Sequence, residues 1–285
     1  MKASLWTTKQ SSLGLDALLR AGKAEPPRLL AAFGLRLWLL IPLVFLALAM
    51  DPRTLPDGSL VWMKPLKFLT SLGLFALTNA WALACTTAQA QRSRSAWAVL
   101  VLVVLMSVFE LSYISWKAAL GEASHFNTRD TFHALMYSLM GTGAVVLTAT
   151  SGVVAWLVAR QSSPQVHAVM RHAIVLGFAL TVILGILSGA AMSTQPGHFV
   201  GAGADAATVP LLGWSLVAGD YRVAHFFGIH AQQVLPLVAL LLIRKATAID
   251  GAAALRVLHL FAIAWCALVA FTYIQAARGQ PFHGG

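Results

Sequence analysis

Charged residues are scarce in this chain, because Asp, Glu, Lys and Arg make up 11% of its 285 residues whereas 58% are hydrophobic. A typical soluble domain carries roughly 25% charged residues. This scarcity, with a mean hydropathy of +0.75, excludes an ordinary soluble protein and predicts a membrane protein. The formal net charge of +10 is spread over short basic runs between apolar stretches, so we expect no nucleic-acid partner.

Cysteine and the common enzyme motifs are also scarce. Cys85 and Cys266 are the only two cysteines, and neither belongs to a CxxC or CxxCH pattern, which excludes a disulfide framework, a zinc knuckle and a covalently attached c-type haem. The patterns GxSxG, HExxH, GxxxxGK[ST] and GxGxxG are absent, which excludes the soluble-enzyme templates that they mark. The last apolar stretch has no lysine, which excludes a rhodopsin-like retinal Schiff base.

Long apolar stretches are what the chain has in abundance. A helix needs about 20 apolar residues to cross a bilayer, and seven stretches qualify: residues 29–50, 66–86, 96–116, 133–158, 172–193, 223–243 and 255–276. The predicted fold class is therefore all-α, a polytopic membrane bundle of about seven transmembrane helices. It occupies residues 29–276, between an N-terminal segment at 1–28 and a C-terminal tail at 277–285, and its surroundings are the lipid bilayer.

The charges between the stretches predict the orientation. Arginines 92, 94, 160 and 171 lie in alternate connections, on the same side as the basic N-terminal segment. Cytoplasmic connections carry the excess of Lys and Arg, so this side is predicted to be cytoplasmic. The C-terminus is then outside, and we expect a multi-pass protein of the cell inner membrane.

Ionisable residues within the apolar stretches gather in the outer half. His133 and His225 begin their stretches near the outer boundary. Glu110 and His230 lie deeper, each roughly 10 Å inside that boundary at 1.5 Å per residue. Ionisable groups at such depths are costly in lipid, and they indicate a functional site. We expect the loop histidines at 125 and 198 to be solvated, and Lys64 to extend towards the headgroups.

The equal depth of His133 and His225 predicts axial ligation of a b-type haem between two helices. Lys67 or Arg222 would lie near the haem propionates, and Tyr137 shares the helix face of His133. In this hypothesis the chain is a membrane oxidoreductase or an electron-transfer protein, with a redox partner or quinone.

Glu110 and His230 are the predicted catalytic pair, since a buried carboxyl beside an imidazole exchanges protons near neutral pH. The two histidines of HxxxxH, His225 and His230, would lie roughly 140° apart on a straight helix, which favours separate roles for them.

Two alternatives remain open. One is a metal-dependent membrane enzyme, in which His225 and His230, with Glu110 or His133, hold zinc or another transition metal that activates water. The other is a proton-coupled transporter or sensor, in which Glu110 and His230 are the proton site. The colour of the purified protein separates these hypotheses, because a Soret absorption band identifies haem.

Overall fold

The computed structural model of the protein describes residues 24–195, 197–201, 207–244 and 251–282. Most of the predicted N-terminal segment, residues 1–23, and the end of the predicted tail, residues 283–285, lie outside this description. The described residues form an all-α bundle, and six of its helical segments are long and apolar enough to cross a membrane. The predicted fold class is confirmed at this level.

Ten helices and one small ribbon make up the described part of the chain. The helices are α1 (Pro26–Leu39), α2 (Ile41–Met50), α3 (Met63–Ala84), α4 (Ala88–Gln91), α5 (Arg94–Leu120), α6 (Thr131–Gln161), α7 (Ala168–Ser193), α8 (Tyr221–Ile229), α9 (Ala231–Arg244) and α10 (Gly251–Ala277). The ribbon pairs strand β1 (Phe199–Val200) with strand β2 (Gly219–Asp220) in antiparallel register. Helices α1 and α2 together form one candidate span, Pro26–Met50.

Short polar residues set where several helices begin. The Ser93 hydroxyl accepts a hydrogen bond from the backbone N–H of Ala96 at the start of α5, and the Asp130 carboxylate accepts one from His133 at the start of α6. Such caps satisfy backbone donors that have no partner within the helix. Helix α5 ends at Leu120, and the next residue is Gly121, whose φ of 72° favours glycine.

The sixth predicted stretch is not one straight helix. Helix α8 ends at Ile229 and α9 begins at Ala231, and their axes differ by 53°. The Thr181 hydroxyl of α7 spans this break: it donates to the carbonyl of Ile229 at 3.2 Å and accepts from the backbone N–H of Gln232 at 3.0 Å. A broken helix is tolerated in a membrane when a neighbouring side chain satisfies the freed backbone groups in this way.

The connections alternate between two ends of the bundle. We call the loop-rich end the one formed by residues 51–62, 121–130 and the described part of 194–220. There Arg53 donates to the Ala119 carbonyl at 3.0 Å, and Lys67 donates to the Leu212 carbonyl at 2.8 Å. At the opposite end, the backbone N–H of Thr87 donates to the backbone carbonyl of Gln161 at 2.8 Å. The connections that were predicted to lie outside are therefore grouped at one end of the bundle, and those predicted to be cytoplasmic are grouped at the other.

The helices pack so that residues distant in the sequence share one buried core. Helix α3 packs against α1 and α5, α6 packs against α5 and α7, and α7 also packs against α8 and α9. One large cluster of buried apolar side chains joins these helices. Polar side chains are buried mainly towards the loop-rich end and along the break in α8–α9, which is where the candidate site lies.

Candidate functional site

Glu110 occupies the buried face of α5 and is 2% exposed. Its Oε1 atom is buried without a hydrogen-bond partner among the described residues. Gly143 of α6 allows the carboxylate to come close, because a methyl group there would lie 2.9 Å from Oε1. The charged side chain that acts electrostatically on Glu110 is Lys64 of α3.

Lys64 is the centre of a polar cluster at the loop-rich end. Its ammonium acts electrostatically on Glu110, Asp57, Arg222 and Lys67, yet no hydrogen bond or ion pair within the described residues engages it. The same ammonium also acts electrostatically on the rings of His125 and His198, which lie in loops. We call the Lys64 cluster the six residues Lys64, Lys67, Glu110, His125, His198 and Arg222. The expectation that Lys64 extends towards the headgroups stays a prediction.

His125 enters the bundle from the loop between α5 and α6. Its ring centroid lies 5.9 Å from Phe68 of α3 and 6.2 Å from Tyr137 of α6. Burial lowers the pKa of His125 well below its ordinary value, and the Lys64 ammonium lowers it further. His125 is therefore neutral at physiological pH and is not the solvated loop residue that the sequence predicts.

His198 enters from the loop after α7. Its ring lies 4.1 Å from the Phe199 ring and 6.1 Å from the Phe126 ring. Its Nε2 atom is buried without a hydrogen-bond partner in the described chain. Burial, with the nearby charge of Arg222, lowers the pKa of His198 to about 4. A second neutral imidazole therefore belongs to the Lys64 cluster.

Arg222 and Lys67 bind the loop that precedes α8, at Leu212 and Gly213. The Arg222 Nε donates to Asp220 at 2.9 Å, and its Nη2 donates to the same carboxylate at 2.6 Å and to the Gly213 carbonyl. Lys67 donates to the neighbouring carbonyl of Leu212. Asp220 neutralises Arg222, whereas Lys67 has only a neutral partner.

His133 belongs to a different cluster, beside Lys117. The Lys117 ammonium donates to the Nε2 atom of His133 at 2.9 Å and also to the Glu122 carboxylate. The Nδ1–H of His133 donates to Asp130 at 2.7 Å. The backbone and ring N–H groups of His133 lower the pKa of Asp130 to about 2, and Lys117 lowers the pKa of Glu122. Both ring nitrogens of His133 are therefore in use.

The two histidines of the HxxxxH pattern belong to different helical environments. His225 of α8 contacts α7, where its Nδ1 lies 3.0 Å from the Ser188 hydroxyl. His230 lies at the break itself, with its ring 4.3 Å from Phe226 and its Nδ1 3.2 Å from Gln233. The angle calculated for a straight helix does not apply, because the chain bends between α8 and α9.

The predicted site residues therefore divide among several places. Lys67, Glu110 and Arg222 come together in the Lys64 cluster, and Tyr137 lies at its edge through His125. His133 lies beside Lys117, while His225 and His230 lie along the broken helix. The hydrogen bonds and ion pairs of the described residues do not join Glu110 to His230.

The histidines that were predicted to hold a cofactor have other partners in this arrangement. Haem ligation by His133 would require its Nε2 to leave Lys117, and His225 faces Ser188 on α7. In the described ranges no group of three or more His, Cys, Asp or Glu side chains is placed to hold a metal ion. Haem or metal binding by His133 and His225 stays a prediction from the sequence alone.

Sequence reasoning missed Lys117 and undervalued Lys64, His125 and His198. Lys117 was placed in an outer connection, whereas α5 extends to Leu120 and leaves this side chain 1% exposed. The spacing of Ser107, Glu110 and Lys117 places all three on one face of a helix, and this pattern could have indicated that Lys117 belongs to α5. The positions of the two loop histidines depend on how the loops fold over the bundle, for which the local sequence carries no pattern.

Comparison of the chain with protein-family models, with curated proteins and with solved structures finds no match in any of the three.

Proposed function

We propose that the protein is a proton-coupled membrane transporter in which Glu110 binds and releases the proton. The observation that carries the proposal is the burial of Glu110, with an oxygen that lacks a hydrogen-bond partner among the described residues and with Lys64 as its charged neighbour. A carboxyl group in such a place stays neutral unless a positive charge compensates it. The protonation state of Glu110 therefore depends on whether the positive charge of Lys64 is available to compensate it.

The broken helix supports transport rather than a purely structural role. Transporters commonly build their sites where transmembrane helices are discontinuous. Here the break between α8 and α9 lies at His230, and α8 carries Arg222 of the Lys64 cluster. A movement of α8 would therefore change the cluster.

Polar side chains also lie between the helices beside the break in α8–α9. Gln233 of α9 donates to the Thr78 hydroxyl of α3 at 3.2 Å, and the Ser151 hydroxyl of α6 donates to Gln232 at 2.8 Å. Asn79 is fully buried, and its Oδ1 has no hydrogen-bond partner within the described ranges. These hydrogen bonds join α9 to α3 and to α6.

The proposed topology has seven spans, with the broken α8–α9 pair counted as one, the N-terminus in the cytoplasm and the loop-rich end outside. The positive-inside rule supports it, because Arg92, Arg94, Arg160 and Arg171 lie at the opposite end. We expect a reporter fused after Arg278 to be active in the periplasm of a bacterial host. Activity confined to the cytoplasm contradicts the orientation.

The proton on Glu110 is directly measurable. In infrared difference spectra of the purified protein between acidic and alkaline buffer, we expect a carboxylic C=O stretching band that is lost in Glu110→Gln. The neutral acid alone gives this band, and burial shifts it away from the bands of exposed carboxyl groups.

Glu25→Gln is the matched control. Glu25 lies near the opposite end and pairs with Arg92 at 2.6 Å, so its replacement should leave the buried carboxylic band in place. If the wild-type protein shows no titrating band that depends on Glu110, the proton site is wrong and the proposed function fails with it.

A further inference from the structure

Two histidine side chains that are distant in the sequence meet at the end of the bundle opposite to the loop-rich end. His172 lies in the first turns of α7 and His259 lies on α10. Their ring centroids are 6.4 Å apart, and the angle between the ring planes is 89°. Both side chains are exposed. Because α7 and α10 pack against each other, the contact between the two helices brings the rings together.

The hydrogen bond of His172 leaves one of its ring nitrogens ready to bind a metal ion. The Nδ1–H of His172 donates to the backbone carbonyl of Ala168, one turn earlier in α7, at 2.9 Å. This bond places the ring proton on Nδ1, so Nε2 carries a free lone pair. Histidines that bind metal ions commonly donate their other N–H to a backbone carbonyl in this way, which fixes the tautomer and the orientation of the ring.

The ring of His259 is available as the second ligand. No hydrogen bond within the described ranges engages either of its nitrogens, and its ring contact is the edge-to-face approach of His172. A neutral imidazole without such a bond can present a nitrogen lone pair towards its neighbour. Both histidines are exposed, so an ion can reach them from the aqueous phase.

The separation of the rings suits one shared ion after a small adjustment. With zinc–nitrogen bonds of about 2.0–2.1 Å, two imidazoles in a tetrahedral site have centroids roughly 5 Å apart. The rings of His172 and His259 would therefore approach each other by roughly 1–1.5 Å, which rotation about the side-chain torsions allows. Water would complete the coordination, since the described ranges contain no group of three or more His, Cys, Asp or Glu side chains placed to hold a metal ion.

The charges beside the pair indicate which ions it can bind and how tightly. Arg171 precedes His172, but its guanidinium donates to the Ala159 carbonyl of α6. Arg256 is exposed and lies one turn before His259 on α10, where its positive charge opposes a cation and solvent ions screen it. Imidazole nitrogens prefer zinc, nickel and copper to magnesium or calcium. The pair therefore suits a transition-metal ion at modest affinity.

We infer that His172 and His259 together bind one divalent transition-metal ion, such as zinc, and that the bound ion joins α7 to α10. The site is separate from the Lys64 cluster and does not depend on the proposed function. An ion that both histidines hold binds the folded bundle in preference to the unfolded chain and so stabilises it. Helices α7 and α10 both pack against α8, so the ion would fix two of the helices that surround this half-helix.

Calorimetric titration of zinc into the full-length protein in detergent, after removal of any histidine affinity tag, tests the inference. We expect one zinc ion per chain, and a higher unfolding temperature when zinc is present. His172→Asn and His259→Asn should each weaken zinc binding by at least about tenfold, because loss of even an outer partner of a metal ligand costs about 10–100-fold in affinity. Magnesium should not compete, since it prefers oxygen ligands.

His167→Asn is the matched control. His167 lies at the same end, where its Nδ1 accepts a hydrogen bond from the backbone N–H of Val169 and caps α7. Asparagine also caps helices well, so this variant should bind zinc like the wild type. The unfolding temperature without zinc verifies that all three variants fold.

Copper gives an independent count of the ligands. In the electron paramagnetic resonance spectrum of the protein with one equivalent of Cu²⁺, we expect couplings to nitrogen from two imidazoles in the wild type and from one in His172→Asn or His259→Asn.

The inference is overturned if the wild type does not bind zinc at one ion per chain, or if either His172→Asn or His259→Asn binds zinc as tightly as the wild type. Nitrogen couplings from a single imidazole in the wild type would overturn it as well. None of these results changes the infrared band of Glu110, so failure of the metal site and failure of the proposed function are distinguishable.

Discussion

Replacement of Lys117 by methionine is expected to lower the free energy of unfolding by roughly 3–5 kcal/mol, the usual cost of removing one partner of a buried ion pair. Lys117 is 1% exposed and is shared between Glu122 and the Nε2 of His133. Methionine fills a similar volume but leaves the His133 Nε2 without its donor, and it leaves Glu122 with Arg129 as its remaining cation. The loop of residues 121–130, which carries His125, would then lose its main attachment to α5.

Thermal unfolding in detergent measures this loss. Arg94→Met is the matched control, because it exchanges an exposed cation near the start of the same helix and should change stability little. Lys117→Met combined with Glu122→Gln should recover part of the loss, since the second change removes the negative charge that Lys117 had compensated. A Lys117→Met protein as stable as the control would show that the Lys117 contacts contribute nothing.

Asp220→Ala is expected to have an effect of similar size, roughly 3–5 kcal/mol. The Asp220 side chain is fully buried, and it accepts hydrogen bonds from the backbone N–H groups of Ser215 and Arg222 as well as from the Arg222 guanidinium. Alanine leaves that guanidinium unpaired beside Lys67 and Lys64. The loop at residues 207–218 should detach, and amide hydrogen exchange there should rise before the helices unfold.

Asp57→Ala provides the comparison for Asp220. Asp57 lies in an exposed turn, where it accepts hydrogen bonds from the Ser59 hydroxyl and backbone N–H. Its loss should leave exchange at residues 207–218 unchanged. Equal exchange in both variants would mean that Asp220 does not attach the loop.

Helix positions were largely predictable because apolar length determines them. The predicted stretch at 96–116 lies within α5, and the stretch at 133–158 lies within α6. Helix ends differ by several residues because caps such as Ser93 and Asp130, rather than hydropathy, fix them. The break at His230 was not predicted, since its stability depends on Thr181, which is distant in the sequence.

The candidate site was predictable only in part. Glu110 was identified correctly as a buried group, because a carboxylate in an apolar helix is unusual whatever surrounds it. The partner assigned to it was His230, whereas the structure places Lys64 near it. Depth along a helix can be counted from the sequence, but the direction in which a side chain points around the bundle depends on packing between distant helices.

The break between α8 and α9 is the place in this span where we expect bending, and the Thr181 hydroxyl bonds to the backbone on both sides of it. Thr181 holds the backbone on both sides of the break, and Pro236 removes a further N–H from the first turns of α9. The half-helix that carries Arg222 is thus linked to its other half by fewer backbone hydrogen bonds than an unbroken helix has. Under the proposed transport function, we expect a tilt of α8 about this break to expose the solute, and we expect Thr181 of α7 to control it.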